Sequence, residues 1–297
     1  MQHIPVLLEE AIDLLLHDLS GTYLDGTFGR GGHSKKILEL LNNDGQLIAL
    51  DRDFEAFDYG RNYFKNDPRF KILHEEIANI SKLELPKLDG VLLDLGICST
   101  HILDPKRGFS FQQEGPLDMR MNNTIGITAA CWINEANESE ITEVLFKYGE
   151  EKQAKKIAKE ICTYRKSSRV ETTTQLATII SNVLKRRGKT HPATKTFQAI
   201  RIFINDELGQ IKKALSGIKN TLKKGGVAVV ISFHSLEDRL IKEHFQSKVT
   251  LYPKDIPLNS EVTKDYSCIK RKIRPQRSEI QSNPSSRSAI MRAYKRL

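Results

Sequence analysis

The chain has 297 residues, of which 39% are hydrophobic, and it carries 46 Lys and Arg against 37 Asp and Glu. This length suits a catalytic core that carries an insert, and the hydrophobic fraction excludes a chain that is disordered throughout. The net charge of +9 favours an acidic partner such as a nucleic acid.

Cysteine spacing and the apolar runs exclude several other classes. The four cysteines form no C-x-x-C pair and lie far apart, at Cys98, Cys131, Cys162 and Cys268. We therefore expect neither a disulfide framework nor a bound metal. Three acidic residues interrupt the first 16 residues, unlike a signal peptide, and no apolar run is long enough to span a bilayer. These features predict a soluble cytoplasmic protein with no membrane partner.

The first third of the chain alternates short apolar runs with helical stretches. Strands are predicted at 22–25, 46–51, 70–74 and 90–94, and three of them end in aspartate. A helix is predicted from about Ser34 to Leu41. This alternation is typical of an α/β fold with a doubly wound, mostly parallel sheet.

A helical block then interrupts this pattern. Residues 109–123 are predicted to form an ordered loop, and several helices follow, one of them opened by a capping box at Thr172–Gln175. One long helix is predicted from about Thr194 to Leu215. Gly225 and Gly226 are expected to end the next segment, before a strand at 227–233. We therefore interpret the helical block as an insert within one doubly wound domain.

A glycine-rich turn, residues 25–34, joins the first strand to its helix. Glycine allows close backbone approach and positive φ, and amides at a helix start attract an anion. A dinucleotide site would need a third glycine where Ser34 stands. An acid at Asp25, suited to an ammonium group, together with amides suited to a carboxylate, is instead typical of enzymes that use S-adenosylmethionine.

Two further strand-end acids fit the same ligand. Asp51 is placed to accept both hydroxyls of a ribose, as in other doubly wound nucleoside-binding folds. Asp94 follows the fourth strand, at the edge where such sheets carry out chemistry. A strand-end acid on its own can equally be a helix cap, but three of them beside a glycine turn make coincidence a poor explanation.

With these residues in hand, the chain closely resembles the bacterial RsmH (MraW) family, which methylates the exocyclic amine of a cytidine in the decoding region of small-subunit ribosomal RNA. The similarity covers nearly the whole chain. Its ordered motifs are residues 3–8, 25–34, 49–53, 90–96, 107–111, 115–121, 148–151, 191–208 and 231–239.

The resemblance implies a Rossmann-like class I methyltransferase with an inserted helical domain. The core would comprise residues 1–106 and 205–297, and the substrate-recognition insert 107–204. S-adenosylmethionine would be contacted by Gly31, Gly32, His33, Asp51, Ile77, Asp94 and His101. Ile77 replaces an aromatic residue common beside the adenine, and residues 98–101 replace a typical Ser-Ser-Pro-Gln run.

Two residues are candidates for the catalytic base. Many amine-directed DNA methyltransferases carry an Asp/Asn-Pro-Pro-Tyr/Phe turn after the fourth strand, whereas this chain has Asp94-Leu95-Gly96-Ile97. The candidates for a general base are Asp118, in the loop 116–121, and His234, directly after the last predicted strand. Asp118 could instead pair with Arg120, and His234 could simply be a strand-end histidine with its hydrogen bonds satisfied.

Two basic segments are candidates for binding phosphates. Residues 185–189 carry four cations, and residues 262–297 carry 10 Lys or Arg against 2 acids, although either segment could be a solvated surface. Phe109, Phe111 and Phe197 could stack on an extruded base, but Phe197 also fits an apolar core stripe.

The expected partner is small-subunit ribosomal RNA or the assembled small ribosomal subunit. The oligomeric state stays open, with a homodimer as one possibility. The alternative functions are a non-catalytic RNA-binding ribosome assembly factor on a methyltransferase scaffold, an NAD-dependent oxidoreductase, and a methyltransferase for protein or a small molecule.

Overall fold

The computed structural model describes residues 4–184, 191–246 and 264–297. The basic cluster at 185–189 lies outside the described residues. In chain order the elements are α1 (Leu8–Leu15), β1 (Thr22–Asp25), α2 (Gly32–Leu40), β2 (Gln46–Asp51), α3 (Phe54–Tyr63), β3 (Phe70–His74), β4 (Leu88–Asp94), α4 (Ser99–Leu103), α5 (Ala129–Glu135), α6 (Glu138–Gly149), α7 (Ala154–Tyr164), α8 (Thr173–Val183), α9 (Thr194–Ile204), α10 (Glu207–Thr221), β5 (Leu222–Ser232), α11 (Ser235–Phe245), β6 (Tyr266–Ile273), α12 (Arg277–Ser282) and β7 (Ile290–Arg296). Short 3-10 turns lie at Ile77–Asn79, Pro105–Arg107 and Pro284–Ser288.

The chain forms two compact units. The sheet unit comprises Met1–Gly96 and Leu208–Leu297, and the helical unit comprises Ile97–Glu207. No helix in the described part of the chain is both long and apolar enough to cross a membrane.

The sheet unit is built on seven strands in the order β3-β2-β1-β4-β5-β7-β6. The first five strands are parallel, and β7 is antiparallel to both of its neighbours. β1 pairs with β2 on one side and with β4 on the other, so the strand order reverses there. The predicted doubly wound, mostly parallel sheet is confirmed.

Alternating side chains divide the core between the two faces of this sheet. On one face, Leu24 and Val91 pack with apolar residues of α10 and α11. On the other, Tyr23 and Leu92 pack with residues of α1 and α2. Burial of this kind is worth about 1.5–3 kcal/mol for each large apolar side chain. Helices therefore cover both faces of the sheet.

The fifth strand begins earlier than predicted. β5 starts at Leu222, and Gly225 and Gly226 lie inside it. Leu88 pairs with Leu222 and Gly90 with Val227, so β5 contains extra residues relative to β4. Gly225 adopts φ 83°, and a Cβ on Gly226 would lie 2.9 Å from the Asp89 carbonyl oxygen. The glycines therefore form an irregularity within the strand instead of ending the preceding segment.

The helical unit is packed around Trp132, Ile157, Ile180 and Ile200. The predicted capping box at the start of α8 is present: the Thr172 side chain accepts from the Gln175 amide, and the Gln175 side chain accepts from the Thr172 amide. Residues 109–123 form no helix or strand longer than a single bridge, as the sequence predicted.

The prediction of one helix from Thr194 to Leu215 is wrong. α9 ends at Ile204, Asp206 has φ 45°, and α10 begins at Glu207. The Asn205 side chain donates to the Met119 carbonyl (2.7 Å) and accepts from the Met121 amide (2.7 Å). These buried hydrogen bonds to a distant loop fix the break, which an uninterrupted apolar stripe could not reveal.

Candidate active site

Three aspartates mark the carboxyl edge of the sheet unit. Asp25, Asp51 and Asp94 are the last residues of β1, β2 and β4. These strands are adjacent, and the order reverses at β1. In open α/β sheets the crevice beyond such a reversal binds ligands.

Asp25 holds the glycine-rich turn together. Its side chain is 1% exposed and accepts hydrogen bonds from the Ser34 hydroxyl (2.6 Å) and the Thr27 amide (3.1 Å). Burial raises its pKa to about 6, although the bond from Ser34 opposes this shift. From the sequence we expected Asp25 to bind the ammonium group of a ligand. In the structure, both of its carboxylate oxygens instead accept hydrogen bonds from within the turn and the helix that follows it.

The turn itself has a conformation that favours glycine. Gly29 and Gly31 have φ of 56° and 71°, in the left-handed region. A Cβ on Gly31 would lie 2.7 Å from the Phe28 ring. The Gly29 amide donates to Asp51 Oδ2 (2.7 Å), which ties the turn to the end of β2. Glycine is therefore required at Gly31 and Gly32, where the turn packs closely on Phe28 and Pro5 at the start of α2.

Asp94 and His33 face each other beside this turn. Asp94 Oδ2 lies 3.7 Å from His33 Nδ1, and the Asp94 amide donates to Thr27 Oγ1 (2.7 Å). His33 Nε2 lies 3.1 Å from the Val6 carbonyl oxygen, which can only accept, so this nitrogen carries the hydrogen.

The second oxygen of Asp94, Oδ1, is buried and lacks a hydrogen-bond donor among the described residues. Burial, with the negative charges of Asp25 and Glu237 added, raises the Asp94 pKa well above its ordinary value. A buried carboxylate oxygen of this kind is well suited to a cationic or hydrogen-bond-donating ligand.

Ile77 lies at the same edge. It opens the 3-10 turn after β3, and its Cγ2 would lie 3.5 Å from a Cβ placed on Gly26. The next amide, that of Ala78, donates to Gln210 Oε1 (3.2 Å). Ile77 can therefore offer an apolar contact near the glycine turn, without an aromatic ring for stacking.

His234 is engaged as a helix cap. Its Nδ1 accepts from the Glu237 amide (3.4 Å), and its Nε2 lies 3.2 Å from Glu237 Oε1. Glu237 Oε2 in turn accepts from the amides of Phe233 (2.7 Å) and His234 (3.2 Å). Acting as a base would require His234 to loosen these contacts.

The remaining sequence candidates belong to the helical unit. His101 is buried in α4 and stacks on Phe109, with ring centroids 5.0 Å apart. Both Asp118 oxygens accept from the Arg120 guanidinium, each at 2.8 Å. Phe197 is 5% exposed and meets Phe111 edge-on, so it is a core residue of this unit.

The structure thus brings Gly31, Gly32, His33, Asp51, Ile77 and Asp94 to one sheet edge, and places His101 and Asp118 in the other unit. Sequence reasoning missed Thr27, Ser34 and Glu237 as supporting residues. Only Glu237 had a signal, because it lies three residues after His234 in the spacing of a capping box.

These residues fit S-adenosylmethionine. Gly31 has a positive φ and no room for a Cβ beside the Phe28 ring, and Asp94 Oδ1 lacks a partner among the described residues. Asp51 supplies a carboxylate at the end of the neighbouring strand. A doubly wound sheet with this edge defines a Rossmann-like methyltransferase that uses S-adenosylmethionine.

Comparison with known proteins assigns the family. The chain belongs to the MraW methylase family, whose profile matches residues 1–297. It is 46% identical to ribosomal RNA small subunit methyltransferase H of Idiomarina loihiensis, over 100% of this chain and 97% of that protein. The proteins of the same name from Nitrosospira multiformis (44%; 100% and 98% covered) and Marinomonas sp. (42%; 100% and 97% covered) are similarly close.

Proposed function

We propose that the protein transfers a methyl group from S-adenosylmethionine to the exocyclic N4 amine of a cytidine in the decoding region of small-subunit (16S) ribosomal RNA. The observation that carries this proposal is the match to ribosomal RNA small subunit methyltransferases H over the whole chain, both units included. The acidic carboxyl edge with its glycine turn supports the cofactor half of the reaction.

Each candidate residue has a proposed task toward the cofactor, which supplies an electrophilic methyl group on a sulfonium. The Gly32 amide, at the start of α2, would bind its carboxylate, and Gly31, whose own amide donates to the Phe28 carbonyl (2.8 Å), would line the same turn. Asp51 would accept from the ribose hydroxyls, and Ile77 would contact the adenine. Asp94, beside His33, would accept from the amino-acid end, and His101 would donate a further hydrogen bond.

The methyl acceptor is a poor nucleophile, because the lone pair of a cytosine amine is delocalised into the ring. Holding the amine in line with the methyl group can lower the barrier by about 7–11 kcal/mol. A base that removes the amine proton would add about 10²–10⁴-fold. His234 and Asp118 are the proposed acceptors of that proton, although each has local partners, Glu237 and Arg120.

Mass mapping of small-subunit RNA tests the reaction directly. RNA and assembled subunits from cells lacking the gene are incubated with enzyme and labelled cofactor, and the product is sequenced by mass spectrometry. We expect one methylated cytidine in the decoding region and loss of incorporation in Asp94→Ala. RNA binding that is unchanged by Asp94→Ala, with no incorporation by the wild type, would instead indicate an assembly factor.

The proton acceptor is tested by pH–rate profiles. If His234 is the base, His234→Gln lowers kcat and removes the acidic limb of the profile, while Asp118→Asn leaves the limb in place. The reverse pattern would assign the role to Asp118. If both variants keep the limb, neither residue is the base.

The proposal also covers where the protein acts, whether its substrate is naked RNA or the assembled subunit, and whether the protein is a homodimer. We infer that the protein acts in the cytoplasm, where ribosomal subunits are built. Comparing rates on naked RNA and on assembled subunits decides which of the two is the substrate. Sedimentation of the free protein decides whether it is a homodimer.

A further inference from the structure

The strand at the far edge of the sheet unit carries an unbroken group of positive charge. Within 266–277 the chain has five cations and no acid. All five are exposed: Lys270, Arg271, Lys272, Arg274 and Arg277, here called the basic strand end. Two register irregularities in the pairing of β6 with β7, between 268 and 270 and between 270 and 273, disturb the usual alternation of faces. Three successive cations are therefore exposed together.

Among the described residues, no acidic side chain compensates the charge of the basic strand end, in contrast to the cations at the other end of the strands, where the parallel strands begin. None of the five cations has an ion-pair partner in the part of the chain that the structure describes. Near the amino edge, Lys219 pairs with Asp265 and Lys223 with Asp89, each at 2.7 Å. Adjacent like charges repel one another, so a group without acids favours an anionic partner.

The pairing register places this charge level with the proposed site. Asp94 pairs with Ile231, Ile231 with Met291, and Met291 with Ile273. These four residues form one row across the sheet. Ile273 lies between Lys272 and Arg274, so these cations flank the row that contains Asp94. Three strand spacings separate β4 from β6, about 14 Å in all. A polymer reaching Asp94 along this edge would pass the basic strand end.

Edge strands often carry lysine simply to prevent pairing with another sheet. That explanation accounts for Lys270 and Lys272 within β6. It does not account for Arg274 and Arg277, which lie beyond the end of the strand, where no edge needs protection. The charge continues past the strand, toward the carboxyl edge.

We propose that the basic strand end binds the phosphate backbone of the RNA substrate, on nucleotides near the one that reaches Asp94. This inference rests on the proposed function for the identity of the RNA. Its contacts would be with phosphates, so they would hold the strand in place without reading its sequence.

The test compares two triple variants, which remove equal charge from the carboxyl end and from the amino end of the strands of one sheet. Arg271→Gln, Lys272→Gln and Arg274→Gln alter the basic strand end. Lys87→Gln, Lys224→Gln and Lys264→Gln alter three exposed cations near the amino ends of β4, β5 and β6. Binding of a single-stranded RNA with the decoding-region sequence is measured over a salt series, and cofactor binding and size in solution are measured on the same samples.

We expect the first triple variant to lower the slope of log affinity against log salt by about 2, since each lost phosphate contact contributes about 0.7 for a single strand. KM for RNA should rise while kcat and cofactor affinity stay unchanged. The second triple variant should change the slope far less. An equal loss in both variants would show a general charge effect and overturn the proposal.

A first variant that keeps the wild-type slope but self-associates would also overturn it, and would assign the cations to edge protection. The binding readout is independent of methyl transfer. If the wild type binds with the predicted slope difference but transfers no methyl group, the proposed function fails while the phosphate surface stands.

Discussion

Asp94 Oδ2 lies 3.7 Å from His33 Nδ1, and the other Asp94 oxygen is buried without a partner among the described residues. One oxygen of the carboxylate at the end of β4 thus faces the His33 ring, and the other is unsatisfied. Neighbouring negative charge at Asp25 and Glu237 adds to the effect of burial. The sheet unit maintains this charged group at a cost in stability, and that cost gives a pH-dependent signature.

Asp94→Asn should stabilise the protein increasingly as pH rises. The folded pKa of Asp94 is raised above its unfolded value, so folding favours the protonated form and the wild type loses stability as pH rises from about 4 through the folded pKa. Asparagine carries no charge at any pH. The difference in Tm between variant and wild type should therefore be larger at pH 8 than at pH 5, measured by thermal unfolding.

Asp89→Asn provides a control of opposite sign. Asp89 pairs with Lys223, and its pKa is lowered. This variant should be less stable than the wild type at both pH 5 and pH 8, with the deficit disappearing only in acid. A Tm difference for Asp94→Asn that does not grow with pH would contradict the raised pKa.

Asp51→Ala should weaken cofactor binding by about 1.5–3 kcal/mol, the value of a charge-assisted hydrogen bond. The same change removes the acceptor for the Gly29 amide and for the Asp53 amide, which would loosen the turn as well. Isothermal calorimetry with S-adenosylmethionine measures the effect.

Asp53→Ala is the matched control for Asp51. Asp53 caps α3 by accepting from the Glu55 amide, so its loss should cost about 1 kcal/mol of folding stability with little change in affinity. An unchanged dissociation constant in Asp51→Ala would exclude Asp51 as a ribose ligand.

Gly31→Ala should reduce both stability and cofactor affinity. Its φ of 71° alone costs a non-glycine residue about 1 kcal/mol, and the added methyl would also press on the Phe28 ring. Gly126 has a similar φ of 77° with no atom within 4 Å of a new Cβ. Gly126→Ala should therefore show the backbone cost only, in denaturant unfolding. Equal losses in the two variants would mean that packing at the turn is unimportant.

Glu237→Ala should be strongly destabilising. It would leave the part-buried amides of Phe233 and His234 without their carboxylate acceptor, and an unsatisfied group costs about 1–3 kcal/mol where it is fully buried. Glu237→Gln, which keeps an acceptor oxygen, should recover part of the loss. Glu243→Ala changes an exposed acid on the same helix and should have little effect on urea unfolding. A mild effect of Glu237→Ala would show that the cap is not needed.

Local pattern was sufficient for the first four strands of the sheet unit, but it missed β6 and β7, which lie in the basic segment 262–297. Buried parallel strands are short apolar runs, so the runs ending in Asp25, Asp51 and Asp94 could be predicted directly. Hydrophobic periodicity was less informative where contacts between residues distant in sequence determine the backbone conformation. The break at Asn205 depends on hydrogen bonds to a loop more than 80 residues earlier in the chain, which no local window contains.

The sequence by itself determined the class of fold, the glycine turn and the strand-end acids, because these depend on residue type and local spacing. Only the tertiary structure decided which polar groups satisfy one another: the side chains of Asp25 with Ser34 and of Asp118 with Arg120, and the His234 ring with the Glu237 amide. It also placed Ile273, from the far end of the chain, in one row with Asp94. Hydrogen bonds and strand register join residues distant in sequence, and their partners are fixed only when the whole sheet has assembled.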